Sequence, residues 1–245
     1  MMFEIAFIEY ERKKTGFHAG YYNIDQQIND LNNYGQATTT HASEYLKMFK
    51  NFNWPRITTQ PARGIDIPFN YEPIIVQDNI TYNGFFQSEQ YFPDREFILN
   101  LFEPSDFINT KLQKYSNLFE GTTCSIHIRR GDYLKYSLHW ARDITYYEQG
   151  IALVGNVDKY LIFSDDMAWC KTQFIGDHFI FIENEKDYVE LFLQSKCNHN
   201  IISSSTFSWW GAYLNNKTNC KRIGPAQWFT NNMANDIVPE SWQTI

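Results

Sequence analysis

Cys124-Ser125-Ile126-His127-Ile128-Arg129-Arg130-Gly131-Asp132-Tyr133 is the stretch on which the reading of the fold turns. Cys124 to Ile128 is a short apolar run and reads as a buried strand. A histidine and two arginines lie at its C-terminal edge. On an extended strand Ser125, His127 and Arg129 share one face, while Ile126 and Ile128 share the other. In an open α/β sheet, ligands bind beyond the C-terminal ends of the strands. Two adjacent guanidinium groups there repel each other unless an anion lies between or above them. A phosphate or pyrophosphate matches their forked donors. Asp132 is close enough to hold one of these arginines. A plainer reading competes: an Arg–Asp pair that stitches a strand end to a loop, since structural ion pairs also perturb such groups.

The C-terminal half continues the pattern. Apolar β-type runs occur at 123–128, 159–164, 178–182, 199–204 and 220–224. Helical patterning fills the gaps. Thr145 to Val154 opens on Thr145 and Glu148, a capping-box spacing. Glu185 to Cys197 carries Tyr188, Leu191, Phe192 and Ser195 at i, i+3, i+4 and i+7. Thr206 to Asn215 follows a serine run. Strands alternating with such helices imply βαβ units and a parallel sheet covered on both faces. The N-terminal half is less regular. Residues 21–40 are polar, and Ser43 to Phe52 reads as an amphipathic helix. Pro55, Pro61, Pro68 and Pro73 deny long elements between 53 and 73. Ile74 to Val76 reads as a short strand, and Phe97 to Phe102 and Ser105 to Asn117 as helices. No internal repeat is present, and a domain boundary is expected near Glu120-Gly121.

Length and composition limit the function. The 245 residues suffice for one large domain or two small ones. Aromatic residues make up 18% of the chain, a surplus that suits sugar-facing clefts and a core equally. The net charge of −7 argues against a nucleic-acid binder driven by bulk charge. The arginine pair is therefore a local basic site in an acidic protein. Cys124, Cys170, Cys197 and Cys220 form no C-x-x-C pair, and no His/Cys cluster has zinc spacing, so reduced thiols in a cytoplasmic protein are expected. Asn79-Ile80-Thr81 and Asn216-Lys217-Thr218 match the glycosylation sequon, a pattern common by chance. Met1 to Ile8 is too short for a signal peptide and is broken by Glu4. No apolar run reaches about 18 residues, so no transmembrane segment is expected.

Two further strand ends carry polar turns. Ser164-Asp165-Asp166 follows the strand 159–164. Ser164 suits the N-cap of a helix starting near Asp166, and a carboxylate at this edge can accept hydrogen bonds from a nucleotide's ribose or base. Ser203 to Ser208 follows the strand beginning at His199 and opens a helix. Its free N–H groups and dipole suit an anion, with hydroxyls adding donors. The plainer reading is capping by Ser205, with Trp209 and Trp210 in the core. Three polar turns at three strand ends of one sheet could surround one nucleotide diphosphate. No G-x-G-x-x-G loop or P-loop is present, which counts against ordinary dinucleotide or ATP binding.

These residues form a recognisable set. His127-x-Arg129-Arg130-x-Asp132 resembles the signature of the α1,2-, α1,6- and protein O-fucosyltransferases, and most closely that of the bacterial and viral α1,2-fucosyltransferase family. Tyr82 to Phe92, Ile162 to Asp166, His199 to Ile202 with Ser205 to Ala212, Gly224 to Phe229 and Ile237 to Trp242 resemble further segments of that family, in order. The resemblance implies a GT-B-like α/β fold, with a C-terminal Rossmann-like parallel sheet binding GDP-fucose over 121–245. Residues 1–120 would form a reduced or divergent N-terminal α/β part on the acceptor side. It implies inverting, metal-independent transfer of fucose to a galactoside 2-hydroxyl in glycan or lipopolysaccharide synthesis. The partners would be GDP-fucose and a galactose-containing glycan, with peripheral membrane association compatible and nucleic acid not involved. By position, Arg129 would grip the leaving β-phosphate, with His127 and Asp132 completing the catalytic group. Arg130, Ser164, Asp165, Ser205, Thr206, Phe207 and Ser208 would bind the donor, Asp165 at the guanosine. Family members begin with a strand and a Gly-Gly-Leu-Gly-Asn-Gln-type loop. This chain has no such loop, and Gly16 and Gly20 flank Phe17-His18-Ala19 instead. A catalytically silent nucleotide-sugar or glycan binder, or an inactive fragment, is therefore the alternative. A phosphate hydrolase using His127 and Asp132 lacks an accompanying nucleophile or metal cluster.

Overall fold

In a computed structural model, which describes residues 1–22, 42–57, 63–231, 233 and 236–245, the chain forms two compact units, Met1–Ile108 and Asn109–Ile245. The division falls ahead of the boundary expected near Glu120-Gly121. Most of the polar stretch 21–40 and Pro61 lie outside the described residues.

The N-terminal unit contains α1 (Met2–Thr15), β1 (Tyr21–Tyr22), α2 (Ala42–Tyr45), β2 (Arg56–Ile57), β3 (Arg63–Asp66), β4 (Ile80–Asn83) and α3 (Arg95–Leu101), and α4 (Asp106–Leu112) begins in it. Strands β1 and β2 pair in parallel, as do β3 and β4, so the described strands make two ribbons rather than one sheet. Residues Met2–Thr15 form a helix. That helix ends at Gly16, whose φ of 73° is the left-handed cap that glycine adopts readily. Phe7 of α1 stacks on Phe86 at 4.3 Å. The helix expected over Ser43 to Phe52 contracts to the single turn α2. The Met48 carbonyl instead accepts from Ser105 N–H and the Lys50 N–H donates to the Glu103 carbonyl, which diverts groups a longer helix needs. The strand expected at Ile74 to Val76 is irregular, with Ile75 86% exposed. The strand lies later, at β4, where Arg63–Asp66 offers a partner in register.

The C-terminal unit carries a six-stranded, wholly parallel sheet of β5 (Thr123–Ile128), β6 (Lys159–Ser164), β7 (Phe179–Phe181), β8 (His199–Ile201), β9 (Arg222–Gly224) and β10 (Gln243–Thr244). The strand order is β10-β9-β8-β5-β6-β7. The helices are α5 (Ile144–Val154), α6 (Met167–Gln173), α7 (Asp187–Lys196) and α8 (Thr206–Tyr213). This is the α/β architecture that the strand–helix alternation implied. The first two strands match the expected ranges to the residue, and the other three are shorter. β10 has no apolar run to betray it. The helix expected over Ser105 to Asn117 breaks at Leu112 into a 3-10 segment, Gln113–Phe119.

All six residues of β5 are buried, as its central position requires. Cys124, Ile126 and Ile128 pack with Tyr147, Ile162, Cys170 and Ile201 on one side of the sheet. On β5, Ser125 and His127 alternate with these residues and turn toward β8 and its turn. Buried Asn200 of β8 donates to Ser125 Oγ (2.7 Å) and to the Gln194 carbonyl (2.8 Å), while Asn215 donates to Asn200 Oδ1. These bonds satisfy the polar groups inside the layer. α5 is capped by Asp143, which accepts from the Tyr146 N–H at 3.3 Å. The Thr145–Glu148 capping box does not form, because the helix begins at Ile144, one residue ahead of the expected cap, which places Thr145 within its first turn. All four cysteines are free, and Cys220 alone is not fully buried.

Candidate active site

The strand order defines where ligands can enter. From β5 the chain moves outward through β6 and β7, then returns to the other side of β5 for β8. The C-terminal ends of β5 and β8 therefore diverge into a switch-point crevice, the usual ligand locus of such sheets. His127 and Arg129 come from the first strand end and Ser203 to Ser208 from the second. The register Ile128↔Ser164 brings Ser164-Asp165-Asp166 off the sheet beside Arg129 and Arg130.

Each arginine already has its carboxylate. Arg129 makes a forked pair with Asp132, Nε–Oδ1 2.8 Å and Nη2–Oδ2 3.0 Å, and its Nε also lies 3.2 Å from Asp165. Burial works against the guanidinium's charge, but the Asp132 hydrogen bond and both carboxylates outweigh it and hold the pKa above its ordinary value. Burial would raise the Asp132 pKa, and Arg129 more than reverses this. Arg130 Nε lies 3.2 Å from Asp166, and its guanidinium lies 4.0 Å over the Trp169 ring. The repulsion read from two adjacent arginines is thus resolved within the chain, by three aspartates, before any external anion is considered. Arg129 Nη1 has no hydrogen-bond partner among the described residues and stays available.

Asp165 accepts from two main-chain donors, the Arg130 N–H (2.9 Å) and the Gly131 N–H (3.1 Å). Ser164 does not cap α6. Asp166 does, accepting from the Trp169 N–H at 3.1 Å, while Ser164 Oγ accepts from the Asp166 N–H one step earlier. The cap falls later than the serine suggested because α6 starts at Met167.

His127 is buried, with Nδ1 2.9 Å from Ser203 Oγ and its ring 5.3 Å from that of Phe207. Burial, and then the charge of Arg129, pushes its pKa down to about 3. The imidazole is therefore neutral at ordinary pH and a poor proton acceptor. Ser205 stands at the N-cap of α8 but makes no side-chain cap bond, so the plain capping role is not played. The first-turn N–H groups of α8 keep their free dipole end. Thr206 and Phe207 are half-buried. Ser208 is fully buried, and its hydroxyl donates to the Ser205 carbonyl at 3.1 Å, so it shapes the turn from within.

Three side chains at the site left little trace in the sequence. Tyr133 donates to the Ser204 carbonyl at 2.8 Å and stacks on His139 at 4.4 Å. Arg142 donates to the Gln227 carbonyl and reaches Ser204 Oγ at 3.5 Å. Trp169 underlies Arg130. Tyr133 directly follows the motif, which was the one available signal. The other two sit in segments whose patterning speaks only of loop or helix. Among the described residues no cluster of three His, Cys, Asp or Glu side chains suits a metal ion, and no helix is long and apolar enough to cross a membrane.

Comparison with known proteins gives the site a context. Residues 70–245 match the model of the family described as Glycosyl transferase family 11. The O-antigen biosynthesis glycosyltransferase WbnK of Escherichia coli is 28% identical over 241 residues, covering 85% of this chain and 80% of that protein. An alpha-1,2-colitosyltransferase of Escherichia coli is 33% identical over 186 residues, 69% of this chain and 64% of its own length. The galactoside alpha-(1,2)-fucosyltransferase 1 of Bos taurus is 35% identical over 109 residues, 38% of this chain and 29% of its own length.

Proposed function

The chain belongs to glycosyl transferase family 11, and from that membership we propose that it transfers fucose from GDP-fucose to the 2-hydroxyl of a galactose-containing glycan. Inversion at the sugar and independence of metal are part of the proposal. The observation that carries it is Arg129. Held by Asp132 and Asp165 at the end of β5, it keeps Nη1 without a hydrogen-bond partner among the described residues, and α8 opens after neighbouring β8 with no side-chain cap at Ser205. Breaking the bond between sugar and phosphate builds negative charge on the departing GDP. A fixed guanidinium and a helix N-terminus are suited to meet that charge without reorganising. Arg130, tied to Asp166 and Trp169, keeps the loop in shape. His127, neutral and anchored to Ser203, serves the donor pocket as a hydrogen-bonding group rather than as the base that takes the acceptor's proton. The relatives' names support α1,2 transfer of a deoxy sugar and differ in which one, fucose or colitose.

A second reading has its own observation. The 245 residues contain no Gly-Gly-Leu-Gly-Asn-Gln-type loop of the kind the resemblance implies at the donor site. A silent nucleotide-sugar binder would look like this. Calorimetry with GDP and GDP-fucose, followed by transfer to lactose, separates the two. Fucosylated lactose is the expected product. Tight GDP binding without turnover selects the silent binder, and no GDP binding sinks both.

A further inference from the structure

We propose that Asp165 is a positioning residue, which sets the Arg129–Gly131 loop through its main chain and does not read the nucleoside. The inference rests on the reading of Arg129 as the group that meets the leaving diphosphate.

The side chain of Asp165 is 24% exposed, so exposure alone does not decide between the two roles. The aim of its oxygens does. Oδ1 receives the Arg130 N–H, and Oδ2 receives the Gly131 N–H and lies 3.2 Å from Arg129 Nε. A carboxylate that accepts two main-chain donors and faces a guanidinium has its strongest hydrogen-bonding directions filled. Gly131 makes the fit specific. A Cβ at that position would lie 2.8 Å from Asp165 Oδ2, so any other residue at 131 would require the carboxylate to move from its place beneath the two N–H groups. The pairing of β5 with β6 supplies the approach, since Ile128 and Ser164 are register partners and the two chains leave the sheet side by side. The neighbouring aspartates have different duties. Asp132 grips Arg129 from within the loop, and Asp166 caps α6 while holding Arg130. Of the three aspartates, Asp165 is the one that joins the main chain after β5 to a side chain after β6.

If Asp165 acts through Arg129, its loss costs turnover and spares the nucleoside. The test compares the parent, Asp165→Asn, Arg129→Ala and the double variant. Each is assayed for kcat and KM with GDP-fucose and for affinity toward GMP, which lacks the β-phosphate. Asn keeps one acceptor but turns an N–H₂ toward the other main-chain donor. Asp165→Asn is expected to lower kcat by about 10²-fold, the scale of a small misplacement of a reacting group. GMP affinity stays unchanged. On the Arg129→Ala background the same substitution adds less than about threefold, because coupled residues are not additive. Gly131→Ala, which displaces the carboxylate without altering it, reproduces the kcat loss.

Amide hydrogen exchange reads the clasp with no ligand present. Arg130 and Gly131 are protected in the parent and lose protection in Asp165→Asn. Tenfold weaker GMP binding by Asp165→Asn at unchanged kcat, losses that multiply in the double variant, or unaltered exchange at the two amides would each overturn the proposal. A parent that binds no GDP overturns the donor reading instead, while hydrogen exchange still decides whether the clasp exists.

Discussion

Arg129 has its Nε and Nη2 bound by Asp132 and its Nη1 open. Truncating it removes the open donor while leaving the two acids partly solvated, at 38% and 24% side-chain exposure. Arg129→Ala is therefore expected to lower kcat by about 10²–10³-fold with the circular dichroism spectrum and melting curve retained. Near-normal turnover by a folded variant would remove Arg129 from the mechanism. His127 makes a different prediction, about stability. Its unfolded value is near 6.5 and its folded value about 3, so below pH 6.5 the unfolded chain binds a proton that the native imidazole refuses. The stability this group confers is complete above pH 6.5 and is lost as the pH falls toward 3, at up to about 1.4 kcal/mol per unit. His127→Gln removes that component, and urea midpoints of parent and variant at about pH 7.5 and about pH 5 measure it. At this scale Arg129 and Asp132 were legible because they stand three apart on one strand end. The Asp165 clasp was not, since an acid that accepts main-chain donors leaves no mark on the spacing of side-chain types.

Among the elements, α7 and α8 meet at a glycine. A Cβ at Gly211 would lie 2.9 Å from Gln194 Cβ, an atom too close to its own backbone to swing aside. Gly211→Ala is expected to cost about 1–3 kcal/mol by forcing the helices apart, and a lower urea midpoint at unchanged slope would show it. A midpoint equal to the parent's would mean that the packing there is looser than this distance implies. The central strands could be read from sequence because strands buried on both faces are continuous apolar runs. The helix over 43–52 was over-read because its periodicity was real, but the main-chain groups of Met48 and Lys50 found partners at Ser105 and Glu103. Tertiary pairing of that kind overrides local propensity.

For the molecule as a whole, the C-terminal unit held most of the legible information and the N-terminal unit little, because prolines and short ribbons leave no long period to read. The edge of the large sheet is closed by β10, two residues with exposed side chains. Ala226 N–H donates to the Ile245 carbonyl, and Ile245 N–H to the Gly224 carbonyl. Just before it, Trp242 is 7% exposed and lies 5.6 Å from Trp209, whose indole N–H donates to the Ile237 carbonyl. Removing residues 241–245 strips one ring from this cluster and bares the β9 edge. The expected loss is about 3–5 kcal/mol, the scale of a buried Trp→Ala change, read as a lower urea midpoint. A truncated protein as stable as the parent would show that the edge strand is ornamental.

The contacts that assemble the crevice join residues far apart in the chain. His127 meets Ser203 across 76 positions, and Tyr133 meets Ser204 across 71. None of these can form until β8 lies against β5, on the side opposite β6 and β7. Parallel pairings over such separations are slow steps, because the intervening chain must be ordered before they reward it. In refolding, helical signal should return early and affinity for GDP late, with the final closure of β8. The chain would spend the interval structured but without the closed β5–β8 crevice.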